Sequence, residues 1–298
     1  MTGFVCFDKG ENITSFFAVK RMSRLMGEKK AGHTGTLDPM ATGVMTVALG
    51  GATRFIELIP SHEKSYTAVI KFGIETDTLD ITGNVLNESD RKVSKEEFEK
   101  VLPEFTGDIM QVPPMYSALK KDGVRLYDLA RQGIEVEREE RQVTIKELKL
   151  LSFSEEENEF EIHVFCSNGT YIRSLCADIG AKLGVPCTLK KLRRTMANNI
   201  DISRCLTFEE IEKICEDGRQ GEIILPVDEM LSVYEKVKVS EKQAVRFSNG
   251  GELDAGRIRF QFDEGFYRVY SPDERFLGIG EYIKEENLLK VKRVYNEK

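Results

Sequence analysis

The sequence has no apolar run near the roughly 20 residues that a membrane-spanning helix needs. Its N-terminus also lacks the charged and then apolar layout of a signal peptide. The six cysteines are scattered, without a CxxC pair or a nearby histidine cluster, so we expect reduced thiols rather than a metal site or a disulfide framework. A phosphate-cradling GxxxxGKS/T loop is missing as well. These absences favour a cytoplasmic enzyme or binding protein.

The formal net charge is −7, which on its face argues against a polyanionic partner. Binding depends on where positive charges cluster, however, and basic residues gather at 20–30, at 120–125 and at 190–194. A basic run is usually a solvated helix face, and for residues 190–194 that interpretation stays open. Net charge therefore does not exclude a nucleic acid as partner.

Hydrophobic periodicity, caps and turn residues predict alternating strands and helices. Strands are predicted at 4–7, 44–49, 64–73, 142–153, 160–166, 266–270 and 276–280, and helices at 13–25, 52–59, 94–102, 126–133, 172–183 and 240–247. Closely spaced short strands after about Val233 indicate a small β-rich unit. We therefore predict a first domain at residues 1–233 and a second at 234–298.

The segment from His33 to Gly43, which we call the Asp38 loop, concentrates an acid, an imidazole, hydroxyls and glycines. Pro39 biases Asp38 away from the helical region, and the glycines permit unusual backbone angles. We therefore expect a shaped loop that presents one carboxylate. A lone Asp-Pro would more often be an ordinary surface turn.

A second segment, Gly169-Thr-Tyr-Ile-Arg173, precedes a predicted helix and offers a guanidinium. Such a group would lower the pKa of a neighbouring carboxyl and fix its orientation. Taken alone, Arg173 reads as a surface helix charge, Tyr66 as an aromatic side chain that packs at a strand start, and His33 as a turn or capping histidine.

The Asp38 loop resembles, almost letter for letter, the catalytic loop of the TruB family of tRNA pseudouridine synthases. The segments 64–80, 112–133 and 169–174 are similar to further motifs of that family, and residues 239–280 resemble its small PUA domain. Gly10 departs from the pattern, because relatives carry a proline after the lysine; this leaves the conformation of that turn open. The resemblance covers almost the whole chain.

The resemblance implies an α+β (mixed α/β) catalytic domain with a largely antiparallel sheet, a thumb-like insertion at about 112–141 and a β-rich C-terminal PUA domain. It implies that Asp38 is catalytic, that Arg173 pairs with Asp38, and that Tyr66 packs on the target base and serves as a candidate base for a late proton transfer. We expect substrate contacts from His33, Arg54, Tyr66, Tyr171 and Leu192, and from the basic residues Lys190, Arg193 and Arg194.

The implied reaction is the isomerisation of uridine to pseudouridine at position 55 in the T-loop of tRNA, on a flipped-out base and without a cofactor or metal. We expect a cytoplasmic monomer that binds the T-loop and stem, with no membrane and no guide RNA. Two alternatives stay open: an RNA-guided relative with accessory proteins, and an RNA-binding chaperone that folds tRNA without chemistry. The thumb-like segment and the short C-terminal domain count against the first, and Asp38 counts against the second.

Overall fold

A computed structural model of the chain describes residues 1–60, 63–117, 119–121 and 123–296. Within these ranges, no helix has both the length and the apolar character needed to span a bilayer. Two main sheets and two short hairpins organise the described residues. The predicted mixed α/β fold with a largely antiparallel sheet and a β-rich C-terminal unit is confirmed.

The larger sheet has nine strands in the described part of the chain. They are β1 (Gly3–Lys9), β2 (Ala31–His33), β3 (Thr42–Leu49), β4 (Lys64–Phe72), β7 (Gly107–Gln111), β10 (Arg141–Ser154), β11 (Glu159–Cys166), β12 (Cys187–Ala197) and β13 (Ile200–Asp201). The order is β1-β3-β12-β4-β11-β10-β7, with β2 beside β3 and β13 beside β12. Neighbouring strands are antiparallel except for β3 and β12, which are parallel.

Five of the seven α-helices in the described part of the chain lie where the sequence predicts a helix, and those at 208–216 and 227–230 were not predicted. The seven are α1 (Ser15–Leu25), α2 (Lys95–Val101), α3 (Leu126–Arg131), α4 (Ile172–Leu183), α5 (Phe208–Glu216), α6 (Val227–Met230) and α7 (Glu241–Ser248). Ser94 closes the predicted capping box at the start of α2, and Gly184 ends α4 in the left-handed conformation with φ 66°. The helix predicted at 52–59 is a 3-10 helix, Gly50–Leu58.

The basic run at 190–194 lies on a strand rather than on a solvated helix face. Strand β12 sits between β3 and β4, in the middle of the larger sheet. Successive side chains of a central strand point to opposite faces of the sheet. Its charged residues therefore need partners that the sequence does not reveal. The helix interpretation is wrong here because pairing with two neighbouring strands overrides the local charge pattern.

The smaller sheet contains five strands among the described residues: β14 (Glu235–Lys238), β15 (Leu253–Asp254), β16 (Gly265–Tyr270), β17 (Phe276–Ile283) and β18 (Leu288–Val294), in the order β14-β16-β17-β18-β15. The hairpins are β5 (Ile74–Thr76) with β6 (Val85–Glu88), and β8 (Lys120–Lys121) with β9 (Val124–Arg125). The domain limits 1–233 and 234–298 stay a prediction, and residues 297–298 lie outside the described ones. So do residues 118 and 122 of the predicted insertion.

Apolar side chains from both sheets share one buried cluster. Phe4, Val44 and Phe55 of the first unit pack in it with Tyr270 and Phe276 of the second. The phenol of Tyr270 donates a hydrogen bond to Asp228 Oδ2 at 2.8 Å across the same junction. The smaller sheet is therefore seated on the back of β1 and β3, where it supports the strand that leaves the Asp38 loop.

Candidate active site

The Asp38 loop is held from behind by helix α1. The backbone amide of Leu37 donates to Ser15 Oγ, and that hydroxyl donates to the Leu37 carbonyl, both at 2.9 Å. Ser15 is the first residue of α1, whose N-cap Thr14 accepts a hydrogen bond from the Phe17 amide. A capped helix end therefore fixes the residue directly before Asp38.

A buried lysine holds the other side of the loop. Lys9 is 0% exposed, and its ammonium donates to the carbonyls of Gly10, Ile13 and Pro39 at 2.9, 2.8 and 3.2 Å. Burial lowers the pKa of Lys9 to about 8, and Asp38 opposes this effect. The three carbonyls use all three donors of the ammonium, so Lys9 ties the end of β1 to the residue after Asp38.

Asp38 and Arg173 form a two-pronged ion pair. Arg173 Nε lies 3.0 Å from Asp38 Oδ2, and Nη2 donates to Oδ1 at 3.3 Å. Arg173 is 5% exposed, whereas about a third of the Asp38 side chain reaches solvent. Planar two-point pairing fixes the direction of the carboxylate as well as its position.

The remaining donors of Arg173 are fixed by backbone carbonyls. Nη1 donates to Thr78 O at 3.2 Å, Nη2 donates to Tyr116 O at 2.8 Å, and Asp80 Oδ2 lies 3.8 Å from Nη1. Arg173 belongs to the first turn of α4, so its guanidinium joins four separate segments of the chain. It therefore aims Asp38 from a rigid support.

Two effects of opposite sign act on the acidity of Asp38. Burial raises the pKa of the Asp38 carboxyl above its ordinary value, and Arg173 opposes this rise while the Asp80 carboxylate adds to it. The Arg173 guanidinium lowers the pKa of Asp38, as predicted from the sequence, but burial raises this pKa by more.

A cavity of about 310 Å³ opens in front of Asp38, in the size range of small-molecule sites. Its wall includes Asp38, Arg173, Tyr66, Tyr171 and Leu192. All five come from the predicted set, although they lie on separate parts of the fold: the Asp38 loop, β4, β12 and the start of α4.

Tyr66 and Tyr171 bring two phenol rings to this cavity. Tyr66 lies on β4 and is 6% exposed, and burial raises the pKa of its phenol to about 12. Tyr171 is the N-cap residue of α4, where its amide donates to Gln111 Oε1 at 2.8 Å and its carbonyl accepts from Gln111 Nε2 at 3.1 Å. Burial raises the pKa of Tyr171 as well. Both rings are neutral platforms at ordinary pH.

Five predicted substrate-binding residues lie outside the cavity wall. They are His33, Arg54, Lys190, Arg193 and Arg194. His33 ends β2 next to the cavity residue Thr34, and burial lowers the pKa of its imidazole. Arg54 is exposed on the 3-10 helix.

Three of the four basic residues of β12, those predicted to bind the substrate, already have partners. Lys190 donates to Glu159 Oε1 at 2.5 Å, and Arg193 pairs with both oxygens of Asp8 at 3.1 and 2.5 Å. Arg194 is 2% exposed and donates to Val44 O at 2.8 Å and Thr36 O at 3.2 Å. Arg194 therefore supports the Asp38 loop from below.

Sequence reasoning missed Lys64, Asn168 and Ser117, which also line the cavity. The available signal for Lys64 is its position two residues before Tyr66, because residues i and i+2 of a strand point to the same face. Among the described residues, no three His, Cys, Asp or Glu side chains come together in a way that could hold a metal ion.

Three family models match the chain in succession. Residues 23–172 match "TruB family pseudouridylate synthase (N terminal domain)", residues 173–232 match "tRNA pseudouridylate synthase B C-terminal domain", and residues 236–295 match "Pseudouridine synthase II TruB, C-terminal".

Relatives of similar length carry related names. A "tRNA pseudouridine synthase B" from Clostridium tetani is 42% identical over 96% of this chain and 97% of its own, and one from an Azoarcus species is 43% identical over 94% and 91%. The structure titled "Crystal Structure of a Cbf5-Nop10-Gar1 Complex" contains a chain with TM-score 0.75 and 24% identity, over 98% of this chain and 84% of that one. This last likeness concerns the fold alone.

Proposed function

This chain belongs to the TruB family of pseudouridylate synthases, and from that premise we propose that it isomerises uridine to pseudouridine at position 55 in the T-loop of tRNA. The names of its relatives support tRNA as the substrate. The observation that carries the proposal is the Asp38–Arg173 pair, with Nε 3.0 Å from Oδ2, at the wall of a cavity large enough for a nucleoside.

The reaction breaks the bond between N1 of uracil and C1′ of ribose, turns the base and joins C5 to C1′. The proton on C5 is then lost and N1 gains one, so substrate and product have the same composition. Asp38 acts on the ribose either by attack at C1′ or by removal of a ribose proton, and both routes need an ionised carboxylate in a fixed direction. Arg173 supplies that direction.

Access to the ribose requires that the target base leaves its stack. Loops of RNA make this easier because their bases are partly free. Tyr66 and Leu192 give the cavity an aromatic and an aliphatic wall, and stacking on an aromatic ring contributes about 1–3 kcal/mol for any base. A pKa of about 12 makes the Tyr66 phenolate rare, so we assign stacking to this ring ahead of proton acceptance at C5.

The proposal extends to the rest of the molecule. The segment 112–141 acts as a thumb on the RNA, residues 234–298 form a PUA domain that binds the same tRNA, and the cytoplasmic protein works as a monomer without cofactor or guide RNA. His33 and Arg54 contact RNA outside the cavity, where Lys190 and Arg193 also reach solvent with 34% and 43% of their side chains.

The test incubates purified protein with an unmodified tRNA transcript and maps pseudouridine at single-nucleotide resolution. We expect product at position 55 without any addition. Asp38→Asn lowers turnover by about 10⁴-fold or more, because the reacting group is lost, while tRNA affinity stays near that of the wild type. The exposed Asp90→Asn serves as the matched control and keeps full turnover.

Absence of product with the wild type would contradict the stand-alone enzyme, and product only with an added guide RNA would favour the RNA-guided alternative. Equal loss of binding and turnover in Asp38→Asn would give Asp38 a role in folding or binding instead.

A further inference from the structure

Lys64 lines the cavity, as Arg173 does, but its ammonium has a different kind of partner. Arg173 and Lys190 each face a carboxylate, whereas the Lys64 ammonium donates to the neutral amide oxygen Oδ1 of Asn168 at 2.6 Å. Among the residues that the structure describes, no carboxylate lies within ion-pair distance of Lys64 Nζ. Its charge is therefore not neutralised within this part of the protein.

The position of Lys64 directs this charge to the reaction site. Lys64 begins β4 and lines the same cavity as Asp38. Tyr66 follows on the same face of the strand, so the ammonium and the stacking ring lie side by side. Asn168 belongs to the loop that leads to Tyr171 and Arg173, and the Lys64–Asn168 bond thus joins both walls at the cavity mouth.

The surroundings favour an anion at this point. Burial lowers the pKa of Lys64 to about 8, and the neighbouring Arg194 charge acts in the same direction. A bound anion would offset both effects, since an opposite charge stabilises the ammonium. Phosphodiesters are the anions that RNA supplies, and charge-assisted hydrogen bonds to them are strong.

We propose that Lys64 binds a phosphodiester next to the flipped-out nucleotide, and that Asn168 positions the Lys64 ammonium for this contact. The inference rests on the proposed function and deepens it, because it assigns one backbone contact of the same site. A nucleotide whose base enters the cavity draws its own phosphates to the cavity mouth, where Lys64 lies.

The first experiment measures binding of unmodified tRNA to full-length Asp38→Asn protein over a range of salt concentrations. Adding Lys64→Gln lowers affinity by about tenfold or more at low salt, because a charge-assisted hydrogen bond is lost. It also reduces the slope of log affinity against log salt by about 0.7, the value for one single-strand phosphate contact. Lys64→Arg keeps the charge and restores the slope.

The matched control is Lys71→Gln at the other end of β4. Lys71 is paired with Glu157 and Glu159, at 3.9 and 3.5 Å, and does not line the cavity. Its loss leaves affinity and slope unchanged. Thermal unfolding of all variants separates a binding defect from a folding defect.

The second experiment uses stem-loop RNAs with one neutral methylphosphonate linkage each, placed at successive positions around the target uridine. At one linkage the wild type and Lys64→Gln bind equally, because the charge that Lys64 meets is gone. The assignment would be overturned if Lys64→Gln left the salt slope unchanged, or if its loss of affinity persisted at every methylphosphonate linkage. In either case, product formation by the wild type would leave the proposed function intact. A wild type that forms no pseudouridine would overturn both.

Discussion

Asp38 and Asp80 share the Arg173 guanidinium, and this sharing adds to the effect of burial on the pKa of Asp38. Asp80 Oδ1 accepts hydrogen bonds from Thr78 Oγ1 and from the Thr82 amide, each at 3.0 Å, while Oδ2 faces Arg173. The second carboxylate is therefore held in place by its own loop. It helps to fix Arg173, and its negative charge raises the pKa of Asp38.

The pH dependence of turnover follows from this arrangement. The proposed mechanism needs the Asp38 carboxylate, so we expect turnover to be lost as pH falls through the raised pKa of Asp38. Asp80→Asn keeps Oδ1 as an acceptor and removes the neighbouring negative charge, which lowers the pKa of Asp38 and moves the acidic limb of the profile to lower pH. Single-turnover rates measured against pH test this shift.

Asp77→Asn is the control for that prediction. Asp77 lies in the same hairpin connection, where Oδ1 and Oδ2 accept from the amide and the side chain of Asn84 at 2.8 and 2.9 Å. Its replacement leaves the limb in place. If the acidic limb of the pH–rate profile of Asp80→Asn stays at its wild-type pH or moves to higher pH, Asp80 does not lower the acidity of Asp38.

At the scale of single elements, the contact between β3 and β12 decides where the Asp38 loop ends. The parallel pairing places Arg193 beside Thr42 and Arg194 beside Gly43. Gly43 has φ +105°, and a Cβ there would lie 2.1 Å from the Arg194 carbonyl oxygen. The close approach of two backbones thus requires glycine at this position.

Gly43→Ala is expected to destabilise the protein by more than the roughly 1–2 kcal/mol that a left-handed residue costs, because a backbone clash is added. Gly107→Ala measures the cost of the positive φ alone, because Gly107 has φ +95° and a Cβ there would meet open space. Denaturant unfolding of both variants measures the difference. Equal losses would mean that β12 moves away from Gly43 without cost.

At the scale of the whole molecule, the two sheets share apolar side chains and are expected to unfold together. The ring of Phe55 on the 3-10 helix lies 6.2 Å from the ring of Phe276 in β17 and 6.1 Å from the ring of Tyr295. Tyr234 also donates to the Leu58 carbonyl at 2.8 Å. These contacts join the C-terminal unit to the back of the catalytic one.

Phe276→Ala leaves a cavity in this shared cluster and is expected to cost about 3–5 kcal/mol of unfolding free energy. Hydrogen exchange measured by mass spectrometry tests whether the two sheets unfold together. We expect the protection of backbone amides in Phe276→Ala to fall in the strands of both sheets. The control Phe16→Ala removes a ring that is 78% exposed and changes protection little. A loss confined to residues 235–294 would mean that the two sheets unfold independently.

Sequence patterns predicted most elements because their signals are local. The alternation in 64–73 places Tyr66, Ala68, Ile70 and Phe72 on one buried face, as the structure has it. The capping box at Ser94 and the glycine after α4 likewise depend on neighbours within one turn. The family motifs led to Asp38 and Arg173, which lie 135 positions apart and yet form the ion pair.

The sequence by itself determined the family, the mixed fold and part of the cavity lining: Asp38, Arg173, Tyr66, Tyr171 and Leu192. Only the tertiary structure decided how each charge is used: Lys190 and Arg193 face carboxylates, Arg194 is buried under the loop, and Lys64 faces the cavity. The reason is that a charge acts through its distance to other charges and its burial, and both depend on segments that are remote in sequence.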